Sequence, residues 1–246
     1  MVGIEAGIPN LPKQDIRLGH ITVSIPQDNH SGVVQYDFGR YEQDEFVFKG
    51  SLDKPPPILI SADGSLEEDE IMNKRPLRKI LKEITKNHQF ARPIVNDVLF
   101  ENDFHHINKG ADCGGCEASS EKKLVPRPLC QQQQPVIYQG LILSGNGVVK
   151  DPAHRDHLHR DYNTAICFEM EAAGIVYEIP CLVIRGICDY ADTHKQDGWH
   201  YYAAAVAAAY CKALLRKANG QDAEQTGSMK ELIEGLDGLT EKMNKI

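Results

Sequence analysis

No apolar run in this chain reaches the roughly 18 residues that a transmembrane helix needs, and the N-terminus lacks a basic stretch leading into a hydrophobic one. Both absences argue against a membrane span or a secretory leader, so a cytoplasmic location is expected. Dense basic clusters are missing too. The richest Lys/Arg run is the short one from Lys74 to Lys79, and the formal net charge is -8 over 246 residues. That balance disfavours a nucleic-acid polymer as partner and suits a small or polar organic substrate. The cysteines do not form an even set. The seven are Cys113, Cys116, Cys130, Cys167, Cys181, Cys188 and Cys211, four of them in apolar runs, as expected of reduced thiols. Cys113-Gly-Gly-Cys116 has no second CxxC to complete a zinc site, only His105 and His106 nearby, and reads as a loop with two incidental thiols.

What the chain does have is a core: 41% of its residues are apolar, enough for one large α/β domain. MVGIEAGIPN reads as a short strand running into a glycine-containing turn. DIRLGHITVSI (15–25) and GVVQYDFG (32–39) read as strands joined by the turn PQDNHSG, which is hairpin-like material. Residues 66–88 carry Leu66, Ile71, Leu77, Ile80, Leu81 and Ile84 at helical spacing, and Pro76 divides them into two helical pieces. Residues 101–135 form a long loop with little core-making power.

From Val136 the texture changes. VIYQGLILSGNGVV is a buried strand ending in a glycine-rich turn, and DPAHRDHLHRDY a charged helix. Residues 165–168 are a short apolar run, 171–178 a small-residue helix, and Cys181 to Cys188 another strand. An alanine-rich helix runs from about Trp199 to Lys217. This alternation implies a mixed but largely parallel sheet covered on both faces. The domain is therefore expected over residues 1–218, with a polar linker at 219–229. Beyond it Leu232, Leu236, Leu239, Met243 and Ile246 follow steps of four and three, a two-heptad amphipathic helix over 230–246. It fits packing on its own domain and docking of a partner equally well.

The chemistry concentrates in CFEMEAAGIVYEIPCLVIRGICDYAD (167–192), an apolar stretch carrying Glu169, Glu171, Arg185 and Asp189. Such side chains are rarely sealed from water without a partner. Period-two alternation puts Arg185 and Asp189 on one face of their strand, about 13 Å apart, too far for an ion pair. Arg185 therefore needs Glu169 or Glu171, expected at the end of the neighbouring strand, and Gly186 leaves room for a close approach. On these residues alone, a register-fixing ion cluster and a ligand site fit equally well.

CFEMEAAG followed by CLVIRGICDYAD resembles the purine nucleoside phosphorylase and methylthioadenosine nucleosidase superfamily. MVGI, DIRLGHITVS, GVVQYDFG, SGNGVVKD and CDYADTHK are similar to the phosphorylase-type domain of fungal multidomain, immune-receptor-like proteins. The resemblance spans about residues 1–217. It implies a three-layer α/β/α nucleoside-phosphorylase-like fold, a homo-oligomer, and cleavage of a purine N-glycosidic bond in a nucleoside or nucleotide. By that pattern Asp189 is the acid that protonates the leaving base at N7, and Glu171 holds the ribose hydroxyls. Met170 packs beneath the sugar, Val148 and Val149 hold the purine, Arg185 orients the acidic residues or a ligand anion, and Glu169 supports the site. Ser144, Gly3 and Ile4 complete the substrate-binding set. No cofactor is implied, and phosphate is the one candidate co-substrate. Adenosine, inosine, methylthioadenosine, AMP and ATP all remain candidate substrates.

Two departures qualify the resemblance. The family carries further βα units before its MVGI strand, units that supply part of the nucleophile site, so a pocket lacking them or completed by another chain is expected. Its glycine-rich turn reads here Glu5-Ala6-Gly7, and a carboxylate at Glu5 would oppose phosphate by Coulomb repulsion. Water is therefore expected as nucleophile. The alternative is a catalytically degenerate nucleoside-binding or assembly module. An oxidoreductase is disfavoured because VGIEAG lacks the GxGxxG spacing of a dinucleotide fold.

Overall fold

The computed structural model describes residues 1–27, 29–43, 45–48, 52–108, 113–128, 134–194 and 196–218. Cys130, the expected linker over 219–229 and the expected helix over 230–246 lie outside the described residues. No described helix is long and apolar enough to cross a membrane.

The strands are β1 (Val2–Gly7), β2 (Ile21–Ser24), β3 (Val33–Gln35), β4 (Gly39–Glu42), β5 (Glu45–Phe48), β6 (Ile137–Ser144), β7 (Ala165–Glu169) and β8 (Ile184–Asp189). The helices are α1 (Pro57–Ile71), α2 (Pro76–Ile84), α3 (Gly114–Ala118), α4 (Pro152–Asp161), α5 (Ala172–Val176) and α6 (His200–Lys217). Pro57 and Pro76 each stand at the first helical position, where a missing N–H costs nothing. The long loop before β6 is less bare than its composition suggests: it holds α3 and a bridge between Phe100 and Leu124.

Six strands form the main sheet in the order β2-β8-β1-β7-β6-β3, and β4 pairs with β5 in a separate hairpin. Pairings β1–β8, β2–β6, β3–β6 and β6–β7 are parallel, whereas β1–β7 and β2–β8 are antiparallel. The sheet is thus mixed and largely parallel, as expected. It is not open, however. β2 pairs with both β8 and β6, closing five strands into a ring, and β3 continues beside the far half of β6. The hairpin expected of β2 and β3 is therefore absent. Both lie parallel to β6, and the turn between them carries the chain along that strand instead of reversing it.

Helices cover both sides. Along β8, Ile184 and Gly186 alternate with Arg185 and Ile187, and a Cβ on Gly186 would stand 2.1 Å from the Ala203 carbonyl oxygen of α6. Glycine there and buried alanines along α6, Ala203 to Ala209, let helix and strand meet at backbone distance. On the other side Leu158 of α4 packs with Leu141, Leu143, Ala165 and Phe168. Trp199 and Tyr202 at the start of α6 are buried in the core, whereas Tyr201 is exposed.

Candidate active site

Alternation turns Arg185 to the face of β8 away from α6. Its guanidinium crosses β1 over Gly3, where an added Cβ would lie only 1.9 Å from Nη1. Beyond Gly3, Arg185 Nη2 donates to Glu169 Oε2 at 2.6 Å and to Glu171 Oε2 at 2.9 Å. Arg185 thus finds the two glutamates that its burial demanded, but they do not belong to an adjacent strand. β1 lies between β8 and β7, and a side chain at residue 3 would block the crossing. Ile4, one residue on, has the opposite facing and stays outside this cluster.

The two glutamates are used differently. The Glu169 side chain is fully buried, and its Oε2 also accepts from the Glu171 and Ala172 backbone N–H groups at 3.1 and 2.8 Å, capping α5. The Glu171 side chain is 54% exposed, and its second oxygen has no hydrogen-bond partner among the described residues. It borders a cleft of about 700 Å³ together with Met170, Ser144, Asn146, Phe38 and Tyr177. Ser144 is fully buried and its hydroxyl oxygen accepts from Ala173 N–H at 3.0 Å, tying the end of β6 to α5. No Lys or Arg lines this cleft among the described residues.

Asp189 stands at the far end of β8. The register slips between the pairs Glu5–Ile187 and Ala6–Asp189, leaving Cys188 as an extra residue. This bulge interrupts the alternation, so Arg185 and Asp189 do not share a face by simple periodicity. A bulge re-aims the side chain that follows it. Asp189 Oδ1 accepts from the Ala191 N–H at 3.0 Å, and Ala191 adopts a left-handed φ of 54°. Burial raises the Asp189 pKa, an effect the Ala191 N–H opposes.

The turn after Asp189 is clamped by groups the sequence reading did not single out. Buried Tyr190 accepts at its hydroxyl oxygen from Leu18 N–H and from Arg127, and donates to Asp97. Arg127 itself pairs with Asp97 at 2.6 Å, and Arg155 of α4 donates to the Tyr190 carbonyl oxygen at 3.1 Å. Arg127 belongs to the long loop, which therefore helps fix the position of Asp189. Only burial of the aromatic next to CD in CDYAD could have hinted at this. Val149 packs in the core cluster that contains Ala191, while Val148 is 61% exposed beyond the end of β6.

Glu5 is the larger surprise. It neither points freely to solvent nor presents the expected charge. It is half-buried, and desolvation, reinforced by the carboxylates of Glu171, Glu169 and Asp189 and opposed by Arg185, pushes its pKa to about 8. At neutral pH it is mostly a neutral acid, so Coulomb repulsion of phosphate does not follow. Because the folded pKa lies above the ordinary 4.5, the stabilisation linked to Glu5 is full below that value and is lost as pH rises through about 8. Glu5→Gln should therefore match wild type in thermal midpoint near pH 4.5 and exceed it near pH 8.5, by about 2 kcal/mol or more in unfolding free energy. A gap that does not change with pH would contradict this.

Among the described residues no group of three or more His, Cys, Asp and Glu side chains is arranged to hold a metal ion.

A sequence profile described as Phosphorylase superfamily matches residues 94–218. A nucleotide-binding leucine-rich repeat (NLR)-like protein of Hyaloscypha variabilis is 41% identical over 224 residues, 87% of this chain and 21% of that protein. An ATP nucleosidase, Cap17, of Escherichia coli is 32% identical over 78 residues, covering 30% of this chain and 15% of that one. The chain thus spans only a minor part of either relative. Among solved structures, a putative 5'-methylthioadenosine/S-adenosylhomocysteine nucleosidase of Borrelia burgdorferi bound to adenine superposes with a TM-score of 0.50 at 14% identity. The match covers 87% of this chain and 67% of that one.

Proposed function

The chain belongs to the phosphorylase superfamily, and on that footing we propose that it hydrolyses the N-glycosidic bond of a purine nucleoside or nucleotide. The observation that carries this reading is the unequal use of two glutamates by one arginine. Glu169 is buried and spent on Arg185 and the start of α5, whereas Glu171 gives Arg185 one oxygen while its side chain stays about half exposed beside the cleft. A purely structural pair has no need of that second carboxylate.

Breaking the bond needs a cationic sugar stabilised and a departing base protonated. Glu171 accepts hydrogen bonds from ribose hydroxyls, bonds that strengthen as the sugar gains positive charge. Asp189, its pKa raised by burial, keeps the proton that purine N7 must receive. Met170 borders the sugar, and Val148 offers an exposed apolar surface to the base. Water is favoured over phosphate on a ground other than charge at Glu5: the Arg185 guanidinium already carries two carboxylates. The nucleosidase names of the Escherichia coli relative and of the Borrelia burgdorferi structure agree with hydrolysis.

The test is direct. The protein is incubated with adenosine, inosine, methylthioadenosine, AMP and ATP, with and without phosphate, and free base is followed by chromatography. Release from at least one substrate without phosphate is expected, and Glu171→Gln should lower it by a factor of about 100 or more. Absence of base from every substrate would sink the proposal.

A further inference from the structure

α6 buries most of its circumference against the sheet and the helices before it, but one side stays open. Tyr201, Ala204, Ala208, Cys211 and Leu215 are exposed or half-buried there. They recur at steps of three, four, three and four, so at about 100° per residue they fall in one narrow stripe along the helix. The second half of the stripe, Ala208, Cys211 and Leu215, lines a shallow groove of about 490 Å³ together with Val2 at the start of β1, and Lys212 and Arg216 flank it. Val2 and Leu215 are 41% and 52% exposed. An apolar seam with this spacing is the surface that a second helix covers.

The sequence beyond α6 carries the matching pattern. Leu232, Leu236, Leu239, Met243 and Ile246 lie at steps of four, three, four and three, and no proline interrupts them. Just before them, Ser228-Met229-Lys230-Glu231 has the spacing in which a serine and a glutamate cap the first turn of a helix. Read backwards from Leu215, the stripe on α6 also steps four, three, four and three. In one antiparallel register every apolar position therefore meets another: Leu232 with Leu215, Leu236 with Cys211, Leu239 with Ala208, Met243 with Ala204, and Ile246 with Tyr201. Leu239 and Met243 then fill the space that the two alanines leave.

The lengths agree as well. The 18 residues of α6 make a helix of about 27 Å, and residues 230–246 in helical form would extend about 25 Å. The connection over 219–229 can stretch about 30 Å or more, whereas packed helix axes lie only about 8–10 Å apart.

We propose that residues 230–246 dock as a helix on α6, antiparallel to it, and cover the groove beside Val2. Gly235 and Gly238 weaken the segment as a free-standing helix, so it depends on the packing surface that α6 offers. The tether favours this occupant over a second copy of the chain. The segment leaves α6 at the end of the groove, which gives it an effective concentration on the order of millimolar, far above that of another molecule in dilute solution. Once docked, it holds the start of β1, the strand whose Gly3 lets Arg185 cross to its two glutamates.

Cross-linking in the full chain tests the register. Cys211 is a free thiol. In Leu236→Cys, oxidation by air with a copper catalyst at low protein concentration should join position 236 to Cys211 within one molecule, as read from peptide masses and a monomer band on a non-reducing gel. Glu234→Cys, on the opposite face of the segment, should form its bond to Cys211 about tenfold more slowly or not at all. Without any cross-link, the docked segment shields Cys211, so its alkylation should be about tenfold faster or more in the double variant Leu236→Asp with Leu239→Asp than in the wild type. A bond between two molecules would give the groove to a second copy and overturn the proposal. So would bonds that form equally from positions 234 and 236, or alkylation rates within about twofold of each other.

Discussion

Asp189→Asn should cut release of purine by about 100- to 10,000-fold while leaving the fold and substrate affinity near wild type. The amide oxygen can still accept from the Ala191 N–H, so the turn after β8 keeps the contact that shapes it. Tyr190 also stays clamped by Arg127, Asp97 and Arg155, none of which touches the substituted atom. What disappears is a titratable proton at a position where burial favours the neutral acid. Rate and stability should therefore separate: near-wild-type melting with a collapse in kcat. Because the departing base needs a proton in every candidate substrate, the loss should be similar for a nucleoside and a nucleotide. A variant retaining most of the wild-type rate would remove Asp189 from the mechanism.

Arg185→Met should have the largest effect on stability. It leaves Glu169 fully buried with two backbone N–H donors but no countercharge, and breaking a buried pair at one partner typically costs about 3–5 kcal/mol. For a chain of this size that corresponds to a fall in melting temperature of roughly 10 °C or more. Arg185→Lys should recover only part of the loss, since an ammonium cannot reproduce the fork that spans Gly3 to both glutamates. Adding Glu169→Gln to Arg185→Met should restore stability without restoring activity, because the uncompensated charge is gone but the carboxylate of Glu171 is no longer aimed. A melting point within about 2 °C of wild type in Arg185→Met would show that the pair is not the anchor inferred here.

Much of this was legible in local pattern. The alternation of apolar runs and helical periods from Val136 onward marked β6, α4, β7, β8 and α6, because each buries a face its neighbours in sequence also border. The charges inside an apolar run marked Glu169, Arg185 and Asp189, since burial without partners is costly. Long-range pairing was not legible. The turn between β2 and β3 has the composition of a hairpin, yet both strands gain more by lining β6, and their partners lie more than 100 residues away. Nor does a sequence reveal that β1 separates β8 from β7, or that Cys188 forms a bulge, because both are properties of register. Nothing in the local pattern signals that Asp97 and Arg127 meet at the hydroxyl of Tyr190. Glu5 shows the same limit in electrostatics: its charge depends on burial first, then on three carboxylates and one guanidinium brought in by β7, β8 and the turn after β7.

The account turns on water attacking a purine nucleoside, with the roles proposed for Glu171 and Asp189. Running the reaction of the wild-type protein in phosphate-free water enriched in heavy oxygen, and weighing the released sugar, tests this most directly. The account predicts free purine and a sugar carrying one heavy oxygen at C1′, with Asp189→Asn producing neither. Purine release only on addition of phosphate, with a sugar phosphate that carries no heavy oxygen, would contradict it.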